Sequence, residues 1–490
     1  MKLRPGPVAA FLVLAALGVT TWLLEFRGAD ERHKAEAAKD KPVQFERAAL
    51  KAIVLRRAGE PIRLQHDGDV WTIREPLVSP ADKDAMEGLL SALETGRIER
   101  RLGEVADRKP YGLDPPVATV TIETTSGEPQ VLALGEMSPI GGTIFALLPG
   151  GKEVAVVSAA LGDLEKKDLL SLRDKSLLSF DPWKVKSLTI ERGRETIALE
   201  KPADGWKVVR PFEAPADGPT VTDLLSAVER MRAARYVTEK AGPSDLKTYG
   251  LDPPAARMTI LEEGQETART ILFGGVSEKT RYAMTVGRDP VVTVADDIWP
   301  KVTTALFDLR RKDVLGLGQY RIASVSVARD GGPALVLARQ KDSGWTASGL
   351  AQGTLKNDSV DLLLREIADV KALAFEDQPA AARLEALSAR PPLDVTLEQD
   401  KDSDGGEARR QHLVFGAVGK DKRMPVRDLA WRPIFLADGA ALGRLQGQLD
   451  ALVKEAKTPP PPQPAPAAPA PPPAGAPPGA GLAPPPGDPK

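Results

Sequence analysis

The sequence predicts an α+β protein of three tandem repeats of about 138 residues, each with short antiparallel strands and two helices. The repeats are expected between one N-terminal transmembrane helix and a disordered C-terminal tail rich in proline and alanine. The repeat is visible because the hexapeptide Tyr111–Pro116 returns unchanged at Tyr249–Pro254, 138 positions later (249 − 111). A further 138 positions on, at Leu387–Pro392, only the two prolines survive. The membrane helix is predicted from the uncharged stretch Gly6–Leu24.

The composition excludes several classes of protein. The 490 residues carry 66 basic and 68 acidic side chains, a net charge of −2, so nothing favours nucleic acid or an anionic membrane surface as a partner. Cysteine is absent, which excludes disulfides, thiolate metal sites and cysteine nucleophiles. The three histidines, His33, His66 and His412, are far apart in the sequence.

A membrane anchor is predicted at residues 6–26. As a helix, Gly6–Leu24 would span about 28 Å, close to the thickness of a bilayer's hydrocarbon core. Residues 1–5 are short and basic, so we expect a cytoplasmic tail, a single pass through a bacterial inner membrane, and the C-terminal body in the periplasm. A cleavable signal peptide is the main alternative, and a helix buried in a soluble core is a further one. Residues 27–44 are charged and are interpreted as a tether.

The first repeat is assigned to residues 45–180. Pro80–Asp82 opens a predicted helix whose apolar residues recur at spacings of three and four: Met86, Leu89, Leu90 and Leu93. A second helix, about Leu161–Leu172, ends in the closing segment Leu172–Lys175. Seven strands are predicted from alternating β-branched residues: Ala52–Leu55, Ile62–Leu64, Val70–Ile73, Val117–Thr124, Gln130–Leu134, Ile144–Leu148 and Val154–Val157.

The hexapeptide is interpreted as a helix-to-strand corner. A residue before proline is excluded from the helical region, so Asp114 and Pro115 are expected to be extended. Gly112 permits a positive φ. Tyr111 and Leu113 are expected to anchor the corner on the domain, and exposure of the tyrosines to a partner is the alternative.

The second and third repeats are assigned to residues 181–317 and 318–457. The second repeats the closing segment as Leu309–Asp313, and we expect these segments to lie at junctions between repeats. The third is divergent and ends in a helical stripe of Leu442, Leu445, Leu449 and Leu452. Each repeat has one tryptophan inside a strand, Trp71, Trp206 or Trp345, expected in the core with its indole N–H satisfied; a stacking site for a sugar or peptide is the alternative.

Residues 458–490 are almost wholly proline, alanine and glycine, a composition that predicts an extended, disordered tail.

One local motif has the spacing of a calcium loop, Asp400–Gly405, with aspartates at its first, third and fifth positions. Its twelfth position is Gln411 where a bidentate glutamate belongs, so a lengthened hairpin is the simpler interpretation. The sequence shows no phosphate loop, nucleophile elbow or His-Glu metal motif. We therefore predict no catalytic, cofactor-binding or metal-binding residues.

The anchor, the two corners at Tyr111–Pro116 and Tyr249–Pro254, and the closing segment Leu172–Lys175 give the chain a resemblance to a bacterial family. It resembles the envelope proteins that carry tandem copies of domain of unknown function 4340, over about residues 45–455. The resemblance implies an accessory role at the envelope, with components of an ABC-type permease or of a gliding-motility-like assembly as partners. It implies no catalytic residues.

The function expected from the sequence is therefore that of a membrane-anchored, non-catalytic interaction subunit without a cofactor, bound to protein partners in the envelope. A periplasmic lipid- or glycan-binding module is one alternative. A hydrolase with unrecognised carboxylates is another.

Overall fold

The computed structural model describes residues 40–458 except 58, 140, 204, 341–343 and 401–407. The predicted cytoplasmic tail, the anchor at 6–26 and the proline-rich tail from 459 onward lie outside the described residues. No helix in the described part of the chain is both long and apolar enough to cross a membrane. The chain divides into two compact units, Met1–Thr196 with Thr222–Thr303, and Ile197–Val221 with Thr304–Lys490.

The first sheet is preceded by a 3₁₀ turn at Arg47–Ala49 and has one long helix, α1 (Lys83–Thr95). Further 3₁₀ segments are Lys109–Tyr111 and Ala159–Lys166, and the short helix α2 (Leu169–Leu172) follows. The strands are β1 (Leu50–Arg56), β2 (Ile62–Asp67), β3 (Val70–Glu75), β4 (Ser79–Pro80), β5 (Ile98–Glu104), β6 (Ala118–Thr124), β7 (Gln130–Met137), β8 (Thr143–Leu147) and β9 (Glu153–Ser158).

The second sheet is preceded by a 3₁₀ turn at Pro182–Lys184. Its helices are α3 (Gly218–Glu229), α4 (Pro243–Thr248), a 3₁₀ turn at Asp296–Ile298, α5 (Trp299–Val302) and α6 (Leu306–Leu309). Its strands are β10 (Val185–Arg192), β11 (Glu195–Glu200), β12 (Lys207–Arg210), β13 (Ala214–Pro215), β14 (Arg235–Thr238), β15 (Ala256–Glu262), β16 (Arg269–Ser277), β17 (Thr280–Thr285) and β18 (Val291–Ala295).

The third sheet is preceded by a 3₁₀ turn at Gln319–Arg321. Its helices are α7 (Asn357–Ala368), α8 (Ala381–Ala389) and α9 (Ala440–Lys457). Its strands are β19 (Ile322–Ala328), β20 (Leu335–Gln340), β21 (Gly344–Gly349), β22 (Gly353–Leu355), β23 (Ala372–Glu376), β24 (Leu393–Gln399), β25 (Arg409–Phe415), β26 (Arg423–Asp428) and β27 (Ile434–Asp438).

All three sheets have the same order, which in the first is β4-β3-β2-β1-β6-β7-β8-β9-β5. Two meanders, β1–β4 and β6–β9, are joined at the centre by antiparallel pairing of β1 with β6, in which Ile53 lies opposite Ile122. Helix α1 crosses from β4 at one edge to β5 at the other, and β5 pairs with β9. The two edge strands of the sheet, β4 and β5, are therefore consecutive in the chain and are connected by helix α1.

The predicted α+β fold of short strands with two helices per repeat is wrong. The structure has three nine-stranded antiparallel sheets, with 42% of the described residues in strands and 26% in helices. The predicted second helix of the first repeat is a 3₁₀ segment followed by the single turn α2. The edge strand β5 was missed because its charged residues, Glu99, Arg100, Arg101 and Glu104, hide its periodicity.

Helix α1 forms where the sequence predicted it and covers one face of the first sheet. Asp82 caps its N-terminus by accepting a hydrogen bond from Ala85 N at 2.8 Å. The four predicted apolar residues are buried in one cluster with the inward residues of β1–β3 and β6–β9. In the third sheet α7 and α9 share the equivalent core, and the predicted leucine stripe of α9 is buried. These helix predictions are confirmed.

An ion pair spans the central strand of the first sheet. Arg63 on β2 donates two hydrogen bonds, of 2.9 and 2.7 Å, to the carboxylate of Glu123 on β6. Both side chains are about a quarter exposed, at 28% and 24%. Hydrogen bonding from Arg63 holds the pKa of Glu123 below its usual range, outweighing the opposing effect of burial.

Glu123→Gln is expected to destabilise the β1–β6 region at neutral pH by about 0.5–1 kcal/mol. Because the folded-state pKa is lowered, the contribution is fully present above the unfolded pKa of about 4.3 and is lost as the pH falls through the folded value. Hydrogen exchange on β6 peptides measures the difference between wild type and variant against pH. Glu128→Gln, on the exposed turn after β6, is the control. A difference that persists unchanged to pH 3 would contradict the assignment.

Candidate functional site

The first hexapeptide corner packs on the face of its sheet opposite helix α1, in a cluster separate from the one that contains the helix. Gly112 and Gly250 have φ of 64° and 66°, and the Asp114-Pro115 and Asp252-Pro253 peptides are cis. Leu113 and Leu251 are 4% and 2% exposed. The expected glycine conformation and leucine anchor are confirmed.

The corner tyrosines are half-buried against an aromatic ring of the sheet. Tyr111 meets Phe145 edge-on with ring centroids 4.9 Å apart, and Tyr249 meets Tyr282 at 4.6 Å. The carbonyl of each tyrosine also lies against a glycine of the neighbouring strand, and a Cβ at Gly135 or Gly274 would clash with it. The geometry supports the structural interpretation of the hexapeptide over exposure to a partner.

Gly135→Ala and Gly274→Ala are each expected to lower the free energy of unfolding by about 2 kcal/mol or more, because the added Cβ displaces the corner. Denaturant unfolding with hydrogen exchange at the corner measures this. Gly88→Ala on the exposed side of α1, where a Cβ meets no atom, is the matched control and should stabilise by about 0.5–1 kcal/mol. Equal effects at all three glycines would disprove the close approach.

The tryptophans only partly meet expectation. Trp206 and Trp345 are buried, at 8% and 0% exposure. Trp71 is partly buried: it packs against the core cluster of the first sheet and stacks on His66, with ring centroids 4.7 Å apart. Among the described residues the buried Nε1 of Trp345 has no hydrogen-bond partner, so the prediction of a satisfied indole N–H is wrong there.

The closing segment of the first repeat lies between β4 and the chain leading into β14. Asp82 N donates to Leu172 O at 2.8 Å, and Asp174 N donates to Pro80 O at 3.0 Å. On the other side, Ala233 N donates to Lys175 O at 2.8 Å. Within its compact unit the segment therefore joins the first sheet to the second, as the sequence predicted.

Arg173 is the buried centre of this junction, with 5% exposure. Its Nε donates to Ser79 Oγ at 2.9 Å and its Nη1 to Glu239 Oε1 at 2.8 Å. Its Cζ lies 3.4 Å from the ring centroid of Tyr236, whose hydroxyl donates to Asp174 O at 2.9 Å. Burial raises the pKa of the Tyr236 phenol.

The second closing segment repeats this geometry inside the other compact unit. Asp217 N donates to Leu309 O at 2.8 Å, and Ala372 N donates to Lys312 O at 2.8 Å. Arg310 is 3% exposed, pairs with Asp377 and lies 3.6 Å from the ring centroid of Phe375. Burial lowers its pKa against the opposing effect of Asp377. We call Arg173 and Arg310 the junction arginines.

A cleft of about 560 Å³ lies beside Arg173, lined also by Tyr236, Glu239, Lys240 and Arg288. Its polar groups are largely engaged with the protein: Arg173 as above, and Arg288 through a hydrogen bond to Ser176 O at 3.0 Å. This arrangement suits cohesion between neighbouring sheets better than recognition of a ligand.

Arg173→Ala is expected to destabilise the junction by about 2 kcal/mol, since a buried cation–π stack and two hydrogen bonds are lost. Arg173→Lys should recover less than half, because an ammonium lacks the planar fork. Hydrogen exchange on peptides from residues 232–239 reports the opening. Arg101→Ala, which breaks an exposed pair with Glu153, is the control and should cost under about 1 kcal/mol. Exchange no faster in Arg173→Ala than in this control would contradict the role.

The calcium-loop motif falls mostly on residues 401–407, outside the described residues. Gln411, its twelfth position, is 6% exposed and serves the second junction. Its side chain accepts from Gly316 N at 2.8 Å and donates to Val314 O at 2.9 Å. Across the described residues, no three histidine, aspartate or glutamate side chains form a group that could hold a metal ion.

One polar pair in the structure was not predicted from the sequence. His412 Nε2 lies 2.6 Å from Asp394 Oδ1, across β25 and β24, and both side chains are about one-third exposed. The two residues are 18 positions apart and only the strand register brings them together. No pattern in the sequence distinguishes this pair from the many other carboxylates.

The repeated sheets and buried junctions define a tandem-repeat β protein. The family model described as "Domain of unknown function (DUF4340)" matches residues 71–207 and 206–389, which together make up more than half of the chain. The chain belongs to this family, in tandem copies. Each match begins in or beside a strand of one sheet and continues through a closing segment into the next sheet.

No curated protein matches the chain in sequence. Among solved structures, a DnaN sliding clamp (DNA polymerase III subunit beta) from Pseudomonas aeruginosa bound to griselimycin is 8% identical. The alignment covers 82% of this chain and 94% of that chain with a TM-score of 0.13, a likeness too weak to support any argument about fold or function.

Proposed function

We propose that the chain is a non-catalytic interaction subunit of an assembly at the bacterial envelope. The observation that carries this proposal is an exposed aromatic residue in the 3₁₀ turn before the second and third sheets. Trp183 is 72% exposed and Tyr320 is 84% exposed. They lie 137 positions apart (320 − 183), close to the period of the repeat. We call Pro182–Lys184 and Gln319–Arg321 the docking turns.

Both docking turns are held firmly. Asp181 accepts a hydrogen bond from Trp183 N at 3.0 Å, and its own N–H donates to Glu262 Oε1 at 2.9 Å. Ahead of Tyr320, Gly318 N donates to Gln399 Oε1 at 3.3 Å. A rigid backbone that presents a large aromatic side chain lowers the entropic cost of binding.

Isolated exposed apolar residues are common on protein surfaces and carry no meaning alone. Here the same turn presents an aromatic twice, and tryptophan and tyrosine dominate the energetics of protein interfaces. The partner class, ABC-type transport or gliding-motility-like components, rests on the sequence resemblance alone. The envelope location likewise rests on the N-terminal sequence, and membrane fractionation of the whole chain tests it.

The proposal predicts that the tagged chain, isolated from mild-detergent membranes, carries protein partners identifiable by mass spectrometry. Trp183→Ala with Tyr320→Ala should reduce their recovery by about tenfold or more, as expected for loss of interface anchors. The fold should persist because both side chains are mostly in solvent. Met137→Ala with Leu373→Ala, at 67% and 58% exposure, is the matched control and should retain the partners.

Two outcomes would count against the proposal. One is a chain that purifies alone under these conditions. The other is full retention of the partners by the Trp183 and Tyr320 double variant, which would move the interface elsewhere on the surface.

A further inference from the structure

A cationic cavity lies in the compact unit that contains the third sheet. Its volume is about 850 Å³, within the range of small-molecule sites. Among the described residues that line it, five are basic and one, Asp428, is a carboxylate. The basic residues come from β12, the second closing segment, the turn before β19, and β25: Lys207, Arg311, Arg321, Arg409 and Arg410.

Asp428, the one carboxylate among the described lining residues, already has partners in the protein. Asp428 is 3% exposed; its Oδ2 accepts from Gln411 Nε2 at 2.8 Å and its Oδ1 from Ala430 N at 3.1 Å. Outside the cavity lining, Glu398 lies 3.6 Å from Arg410, with both side chains more than half exposed. Such an exposed pair offsets little positive charge.

Arg311 has one buried donor that no described residue satisfies. Its Nε donates to Asp313 O at 3.1 Å, but its Nη2 is shielded from solvent and has no hydrogen-bond partner among the described residues. Asp428 Oδ2 lies 3.6 Å away, close enough for an ion pair but beyond hydrogen-bonding distance. Burial lowers the pKa of Arg311, with Asp428 and Asp313 acting against this effect and Arg409 acting in the same direction. A bound anion would relieve the repulsion between Arg311 and Arg409.

The walls of the cationic cavity also contain tryptophan side chains, which can contact an apolar part of a ligand. Trp431, which is partly exposed, lines the same cavity, and the buried Trp206 contributes a small part of the wall. Guanidinium groups match the oxygens of phosphate in two-pronged geometry, and an indole offers a flat apolar surface for the C–H face of a sugar ring. Arginines and tryptophans around one cavity of this size fit a ligand with both features.

We propose that this cavity binds a phosphorylated saccharide, either as a free sugar phosphate or as the phosphorylated head group of a lipid. This gives a site and a ligand class to the binding-module alternative. This ligand proposal is independent of the interaction proposed for the docking turns. The variants that test it leave Trp183 and Tyr320 unchanged.

The test is isothermal titration of the full chain with glucose 6-phosphate, glucose and inorganic phosphate, beside co-sedimentation with phosphatidylcholine vesicles containing phosphatidylinositol phosphate. We expect saturable binding to glucose 6-phosphate or to the doped vesicles, at least about tenfold tighter than to glucose or inorganic phosphate. Titration alone assigns a free sugar phosphate, and vesicle binding alone assigns a lipid head group. Added salt should weaken the binding, because the contacts are charged.

Arg409→Gln with Arg410→Gln is the variant of choice, because both residues are exposed and the fold should survive. It should weaken binding by about 10- to 100-fold, the cost of two charge-assisted contacts. Arg383→Gln with Arg423→Gln changes the charge equally outside the cavity lining and should bind like wild type. Partner recovery should stay unchanged in both variants, which separates this test from that of the docking turns.

Three results would overturn the proposal. Absence of saturable binding to either phosphorylated probe would remove the site. Equal affinity for inorganic phosphate and glucose 6-phosphate would remove the saccharide. Undiminished binding by the Arg409 and Arg410 double variant would place any bound ligand elsewhere.

Discussion

The buried arginine of each closing segment is the interaction on which the connection between successive sheets depends. A guanidinium out of water is costly unless its charge and its donors are met. Arg173 meets this cost with Glu239, Ser79 and the ring of Tyr236. These three partners come from both sides of the junction, so the charge is compensated only when the two sheets are joined. The arginine thus makes the docking of neighbouring repeats specific as well as cohesive.

The two junctions have equivalent backbone hydrogen bonds but differ in the charge of the residues at equivalent positions. The third residue of the closing segment is Asp174 in the first and Arg311 in the second. On the receiving sheet the last residue of the matching strand is Thr285 in one and Asp428 in the other. Thr285 Oγ1 donates to Leu177 O at 2.8 Å, whereas Asp428 faces the positive Arg311. At this equivalent position the first junction therefore has a neutral contact, and the second junction has a charged contact beside the cationic cavity.

The local parts of this fold could be predicted because their causes lie within a few residues. Helix α1 follows from its cap and apolar spacing, and the corner from Gly112 and the proline pair. The junctions could be located because Leu172–Lys175 and Leu309–Asp313 recur at the ends of their repeats. The nine-stranded sheets could not be predicted, because the pairing of β1 with β6 joins residues about 70 positions apart (122 − 53 = 69) and leaves no local pattern.

Candidate site residues were harder still to predict. His412 and Asp394 meet only through strand register, and the five cations of the cavity come from four separate segments. Gln411 has the position of a calcium ligand in the sequence, yet in the structure its amide holds the backbone at Val314 and Gly316. A sequence motif tests only whether the residue type at a position can bind a metal ion. The role of Gln411 in the structure depends instead on which nearby backbone groups need a hydrogen-bond partner.

The junctions also account for where the docking turns lie. Trp183 follows Lys175 by eight positions, and Tyr320 follows Lys312 by the same number (183 − 175 and 320 − 312). In each case the closing segment is fixed by hydrogen bonds to two sheets, and the chain then turns directly into the first strand of the next sheet. The position of the exposed aromatic relative to its junction is therefore set by a short, restrained connection.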